Sequence, residues 1–190
     1  MTWSETLSSI YADLNRLNKI KWGGVIYLAT NASFKITFWF RIASFFKQKK
    51  GLFYYCLYVL SFVVYKHYNY KTGIQLPPGT NVGRGLLFGH FSCIVINGAT
   101  SIGRNCTIYQ GVTIGSARGK GIPTIGDNCV IFAGAKIIGN VKIGNNVVIG
   151  ANAVVLKDIP DNCICAGVPA KIINEDSSET INLYLGKNNR

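Results

Sequence analysis

Between Leu76 and Val155 an aliphatic or aromatic residue returns at every sixth position, with two interruptions. The series runs Leu76, Val82, Phe88; then Ile96, Ile102, Ile108, Ile114; then Ile125, Ile131, Ile137, Ile143, Ile149, Val155. Glycine follows the apolar residue in Val82-Gly83, Ile102-Gly103, Ile114-Gly115, Ile125-Gly126, Ile143-Gly144 and Ile149-Gly150, and small or polar residues fill most of the remainder. A period of six matches neither the 3.6 of a helix nor the 2 of an amphipathic strand. It predicts a solenoid, in which each hexapeptide forms a short strand with one inward side chain and then turns, and stacked coils join the inward residues into one core. Gly, and after it Asn, tolerates the corner conformations that such turns demand. The expected fold is mainly β, a parallel β-helix over residues 74–173.

The chain before the repeat follows a different pattern. Residues 4–20 place Leu7, Ile10, Tyr11, Leu14 and Leu17 at three- and four-residue spacing among charges, which predicts an amphipathic helix. A second apolar segment covers Val25–Phe46, and a third, Leu52–Tyr65, has no charge at all. Residues 1–73 therefore read as a small helical, basic and hydrophobic region. An uncharged run of fourteen is short of the roughly 20 residues that span a bilayer. Either these helices pack on one another and on the solenoid, or residues 34–71 meet anionic lipid, with aromatics at the headgroups and Lys47, Lys49, Lys50 and Lys66 around them.

Charge and cysteine usage narrow the picture. The net charge is +12. Residues 1–73 hold ten Lys/Arg against two acids, a net +8, and the other 117 residues share the remaining +4. The basic residues interleave with apolar runs and form no recognised nucleic-acid module, so nucleic acid is not the expected partner. Six cysteines without metal-ligand spacing or a leader segment suggest small core residues in a reducing, cytoplasmic setting, peripheral to the inner face of the membrane if the lipid reading holds.

The two breaks in register are where chemistry is expected, because a repeat array admits insertions only as loops. From Phe88 to Ile96 the step is eight, and His90 lies in the excess. From Ile114 to Ile125 it is eleven, through Gly115-Ser116-Ala117-Arg118-Gly119-Lys120-Gly121-Ile122-Pro123-Thr124. The other histidine, His67, lies outside the repeat and reads as a polar residue at a helix end. Residues 174–190 read as a polar, mobile tail.

Four segments then carry a resemblance: Val82-Gly83-Arg84-Gly85-Leu86-Leu87-Phe88-Gly89-His90, Ile108-Tyr109-Gln110-Gly111-Val112-Thr113-Ile114-Gly115, Pro123-Thr124-Ile125-Gly126-Asp127-Asn128 and Ala166-Gly167-Val168-Pro169-Ala170-Lys171. They resemble the hexapeptide-repeat acyltransferases of the left-handed β-helix type, within the serine O-acetyltransferase-like group. The resemblance implies transfer of an acetyl group from acetyl-CoA to a hydroxyl, without a metal, in a homotrimer with active sites between chains. It implies that His90 is the general base, a role suited to imidazole, which titrates near neutrality. It also implies that the Gly115 amide faces the oxyanion, that Gly115, Ser116, Ala133 and Ala151 follow the pantetheine arm, and that Lys171 lies near the nucleotide phosphates. Gln75, Asn97, Arg118 and Lys120 are the candidate acceptor contacts.

The departures bear on the acceptor. Where the serine enzymes carry an Asp that partners the base, a second Asp directly before it and an Arg-His pair, this chain has Gln75, Gly89, Gly121 and Ile122. With its hydrophobic, basic N-terminus, that places the expectation nearest to the colanic acid and other polysaccharide biosynthesis acetyltransferases, with a free or lipid-linked sugar as acceptor. Serine O-acetylation is the alternative. A β-helical scaffold without activity is the non-enzyme reading. A metal-dependent lyase on this fold would need three histidines, and a nucleotidyltransferase a further domain.

Overall fold

The computed structural model describes residues 2–17, 23–117 and 121–185. Four helices come first: α1 (Trp3–Asn15), α2 (Gly23–Thr30), α3 (Ala32–Lys47) and α4 (Leu52–Thr72). A capping box starts α1, with the Glu5 amide donating to Thr2 Oγ1 at 3.2 Å and the Thr2 amide donating to the Glu5 carboxylate at 2.7 Å. The apolar segment Val25–Phe46 divides at Asn31, whose side chain accepts from the Phe34 amide at 2.8 Å and so caps α3. Helix α4 outruns the uncharged stretch by about two basic turns and stops at Gly73, whose φ of +67° is the left-handed C-terminal cap that glycine favours. No described helix is long and apolar enough to cross a membrane.

The hexapeptides then wind four full coils. The first is β1 (Asn81–Val82), β2 (Leu87–Phe88) and β3 (Val95–Ile96); the second β4 (Ser101–Ile102), β5 (Thr107–Ile108) and β6 (Thr113–Gly115). The third is β7 (Thr124–Ile125), β8 (Val130–Ile131) and β9 (Lys136–Ile138); the fourth β10 (Lys142–Ile143), β11 (Val148–Ile149) and β12 (Val154–Val155). Every strand pairs in parallel with its counterpart one coil away, giving the three sheets of a left-handed prism. β13 (Ile164–Ala166) continues the second sheet, and β14 (Lys171–Asn174) pairs with it antiparallel and closes that edge. On this face Phe88, Ile108, Ile131, Ile149 and Cys165 stack in register.

Twelve of the thirteen periodic residues are buried, and Val82 is half-buried. A second inward set lies two residues earlier in each hexapeptide and fills the corners: Leu86, Ile94, Cys106, Val112, Cys129, Ala135, Val141, Val147 and Ala153. Cys106, Cys129, Cys163 and Cys165 are therefore core residues, whereas Cys56 and Cys93 are exposed. One edge carries Asn105, Asn128, Asn146 and Asn162, all at positive φ between 54° and 61°. Each amide donates to the next Oδ1, at 3.1, 2.9 and 2.8 Å, so the ladder satisfies the polar groups that the corners expose.

The helices are fastened to the first coil by a buried ion pair. Arg41 Nε lies 2.9 Å from Asp13 Oδ2, its other nitrogens donate to the Val82 and Gly83 carbonyls, and Asp13 accepts the Gly85 and Leu86 amides. Burial pushes the Asp13 carboxyl up, opposed by the guanidinium and by those two amides. The tail expected to be mobile instead forms α5 (Ser178–Leu185), anchored by buried Ile181 and by the Ser177 amide on the Asn162 carbonyl. The polar composition concealed this, because Ile181, Tyr184 and Leu185 suffice to dock one short helix.

Candidate active site

His90 sits in the loop between β2 and β3, which is held at both ends. Gly89 donates to the Ile108 carbonyl at 3.0 Å, Ser92 accepts from the Gly111 amide at 2.9 Å, and Cys93 donates to the Thr72 carbonyl at 3.2 Å. The loop is thus pinned between the second coil and the end of α4. His90 itself is exposed, and its ring lies against Tyr109, with centroids 5.8 Å apart at 56°. Gly89 allows this approach, since a Cβ there would stand 2.5 Å from Tyr109 Cε1.

Tyr109 belongs to an aromatic platform that the hexapeptide pattern does not reveal by itself. It stacks on Phe132 at 5.4 Å and 17°, and Tyr184 of α5 meets both rings edge-on. Such edge and stacked geometries suit ring quadrupoles. Burial, with the Tyr184 hydroxyl bonded to it, pushes the Tyr109 phenol up to about 12, so it stays neutral. The signal for Tyr109 and Phe132 was available, because each follows an inward isoleucine one coil from the other; nothing in the sequence pointed to Tyr184. Among the described residues no carboxylate bonds to His90, and of the platform it is Tyr109 that meets its ring.

The other candidates are dispersed along the prism. Gly115 ends β6, half-buried, with open space where a Cβ would be, so its backbone is approachable. Ser116 follows it, and Arg118 and Lys120 lie outside the described residues. Ala133 and Ala151 stack on one edge, the Asn152 amide donating to the Ala133 carbonyl at 2.8 Å. Lys171 is exposed on β14. The Asn97 side chain is engaged in its own turn, accepting from the Ala99 amide at 2.9 Å. Gln75 pairs with Val95, its amide donating to Ile94 O and its carbonyl accepting from Ile96 N. Its side chain faces a cavity of about 440 Å³ between α4 and the first coil. Among the described residues no group of three His, Cys, Asp or Glu is placed to hold a metal ion.

Residues 122–157 match the bacterial transferase hexapeptide family, in its six-repeat form. The match covers 36 of the 190 residues, within the third and fourth coils. A serine acetyltransferase of Staphylococcus aureus is 44% identical over 122 residues, 63% of this chain and 57% of the relative. One from Synechococcus elongatus is 44% identical over 105 residues, 54% and 43% of the two chains. The match thus spans 43% to 57% of the length of these two curated relatives. Among solved structures, a Neisseria gonorrhoeae serine acetyltransferase in complex with serine superposes with a TM-score of 0.74 at 27% identity, covering 90% of this chain and 70% of that one. A serine acetyltransferase in complex with CoA gives 0.73 at 26%, over 90% and 71%. These findings overturn the expected closeness to the polysaccharide biosynthesis branch and the expected sugar or lipid-linked glycan acceptor. The lost carboxylates and Arg-His pair had weighed too much in that reading, since they describe a few contact residues while the similarity runs through the whole solenoid.

Proposed function

We propose that this chain is an acetyl-CoA-dependent serine O-acetyltransferase, working as a homotrimer with the site between neighbouring prisms. The observation that carries this reading is the exposed imidazole of His90, set against the Tyr109 ring in the first register break of the hexapeptide solenoid. His90 accepts the proton of the acceptor hydroxyl as that oxygen bonds to the thioester carbon. The Gly115 amide faces the oxygen that gains charge, where a fixed N–H dipole needs no reorganisation. His90 then returns the proton to the departing thiolate, and O-acetylserine and CoA leave. Ala133 and Ala151 offer small side chains along which the pantetheine arm can run, and Lys171 a cation for its phosphates.

Free-thiol release from acetyl-CoA with L-serine as acceptor tests the reading. His90→Ala should lose about a hundredfold or more in kcat, with circular dichroism and sedimentation unchanged because the residue is exposed. No O-acetylserine from the wild-type chain, or near-normal turnover by the variant, would overturn it.

The helical layer has a contact of its own in this reading. Leu52, Phe53, Tyr55, Leu60 and Val63 of α4 are exposed beside Lys49 and Lys50, and no Asp or Glu occurs between Asp13 and Asp127. That combination of apolar area and unopposed positive charge suits an anionic lipid surface on which α4 lies flat.

A further inference from the structure

Serine carries a carboxylate at neutral pH, and burying it in a site requires a cation or several donors. The second loop does not supply one at its described end. Gly121 has a φ of +70°, and a Cβ there would stand 2.3 Å from Asn140 Cβ, so the chain is committed to glycine at that point.

The cavity between α4 and the first coil offers what the loop lacks. Lys66 lines it, half-buried, with its ammonium over the rings of Tyr70 at 5.2 Å and Phe62 at 5.9 Å. No acid among the described residues pairs with it. Of the acids nearest in sequence, Asp13 is engaged by Arg41 and Asp127 by Arg104. The opposite wall holds Gln75, whose backbone is fixed by two hydrogen bonds and whose side-chain amide can donate. At about 440 Å³ the space falls within the range of small-molecule pockets.

One wall of this cavity adjoins the end of the loop that carries the base. Gly73 forms part of its lining and lies against Cys93, three residues beyond His90, where the Cys93 amide bonds to Thr72. A small acceptor seated here stands beside the loop that carries the imidazole. The charge distribution assists its arrival, because a concave surface with uncompensated positive charge concentrates anions.

We propose that Lys66, with the Gln75 amide, binds the α-carboxylate of the acceptor in this cavity. The assignment rests on the serine reading above, which makes the acceptor an amino acid. It adds that the helical region contributes a specificity residue to the site of the solenoid.

Steady-state kinetics of the full chain with L-serine and with L-serinamide, which lacks the carboxylate, test it. Lys66→Gln should raise KM for L-serine about tenfold or more, the range for a lost bond to a charged group, leave kcat within twofold, and leave KM for L-serinamide unchanged. Lys66→Arg should stay within a few-fold of wild type, and Lys66→Met, which keeps the stem on the rings, should match Lys66→Gln, so that a folding defect would be recognised. An unchanged KM for L-serine in Lys66→Gln, or equal weakening for both acceptors, removes Lys66 while leaving serine acetylation standing. A tenfold rise in Arg118→Ala or Lys120→Ala in place of Lys66→Gln moves the carboxylate to the second loop. Failure of the wild-type chain to acetylate L-serine takes down the functional reading and this assignment together.

Discussion

The solenoid and α4 are both rich in large apolar residues, but they treat them in opposite ways. Ile108, Ile131 and Ile149 are fully buried, whereas Leu52 is 80% exposed, Phe53 70% and Leu60 65%. In the solenoid the inward positions of each hexapeptide are covered by their counterparts in the coils above and below. In α4 the apolar residues surround the helix, so packing one side on α3 leaves another bare. Burial here is decided by what periodicity aligns rather than by how apolar a stretch is.

The largest expected effect concerns the joint between the two regions. Removing one partner of a buried ion pair leaves the other charge without compensation, at about 3–5 kcal/mol. Arg41→Ala should lose that much in urea denaturation, because Asp13 would remain between α1 and the first coil. A double replacement of Asp13 and Arg41 by Leu and Met should cost less than Arg41→Ala alone. If Arg41→Ala costs under about 1 kcal/mol, the helices are fastened elsewhere.

Within the regions, Ile108→Ala should destabilise by about 2–5 kcal/mol, the range for buried large-to-small changes. Leu60→Ala should remain within about 0.5 kcal/mol. Thermal melts of the two variants side by side decide this, and equal losses would show that α4 is covered in solution.

The cover proposed for α4 gives the next effect. The chain should sediment with vesicles containing phosphatidylglycerol and not with phosphatidylcholine alone, and come off partly as salt rises. Each lysine near such a surface contributes about 1 kcal/mol, screened within a Debye length, so Lys49→Gln with Lys50→Gln should lower the bound fraction. Leu60→Gln should lower what persists at high salt. Indifference to anionic vesicles, with a higher-order oligomer by sedimentation, would assign the face to a second copy.

The same contrast explains what could be read in advance. The strands, their inward residues and the loop bearing His90 followed from counting in sixes, because in a solenoid sequence spacing and spatial stacking coincide. The corner residues such as Cys106 and Val147 follow the same spacing two positions earlier, but polar members such as Thr100 obscured them. The platform around His90 was only half legible. Tyr109 and Phe132 lie in register, whereas Tyr184 arrives from α5 by a route that no period encodes. The Asp13–Arg41 pair joins residues 28 apart on two helices, and only tertiary packing brings them together.

The smallest effect isolates an ion pair inside the solenoid from the one that joins it to the helices. Asp127 accepts the Arg104 amide at 2.7 Å and lies 2.8 Å from its guanidinium, at an exposed corner between the second and third coils. The amide bond first, and the guanidinium with it, pulls the Asp127 carboxyl below the usual carboxylate range. A carboxyl lowered in the folded state contributes stability that is present above its unfolded pKa and is lost as pH falls through the folded value. With both side chains partly in solvent, the pair is worth about 0.2–1 kcal/mol. Asp127→Asn should therefore lose that amount at pH 7 and low salt, and the gap to wild type should close as the pH is taken below the carboxylate range. Urea denaturation of both proteins at pH 7, 4 and 3 measures it. A gap that persists unchanged at pH 3 would mean that Asp127 acts through the shape of the corner, and that the solenoid's own ion pair contributes nothing comparable to the buried one.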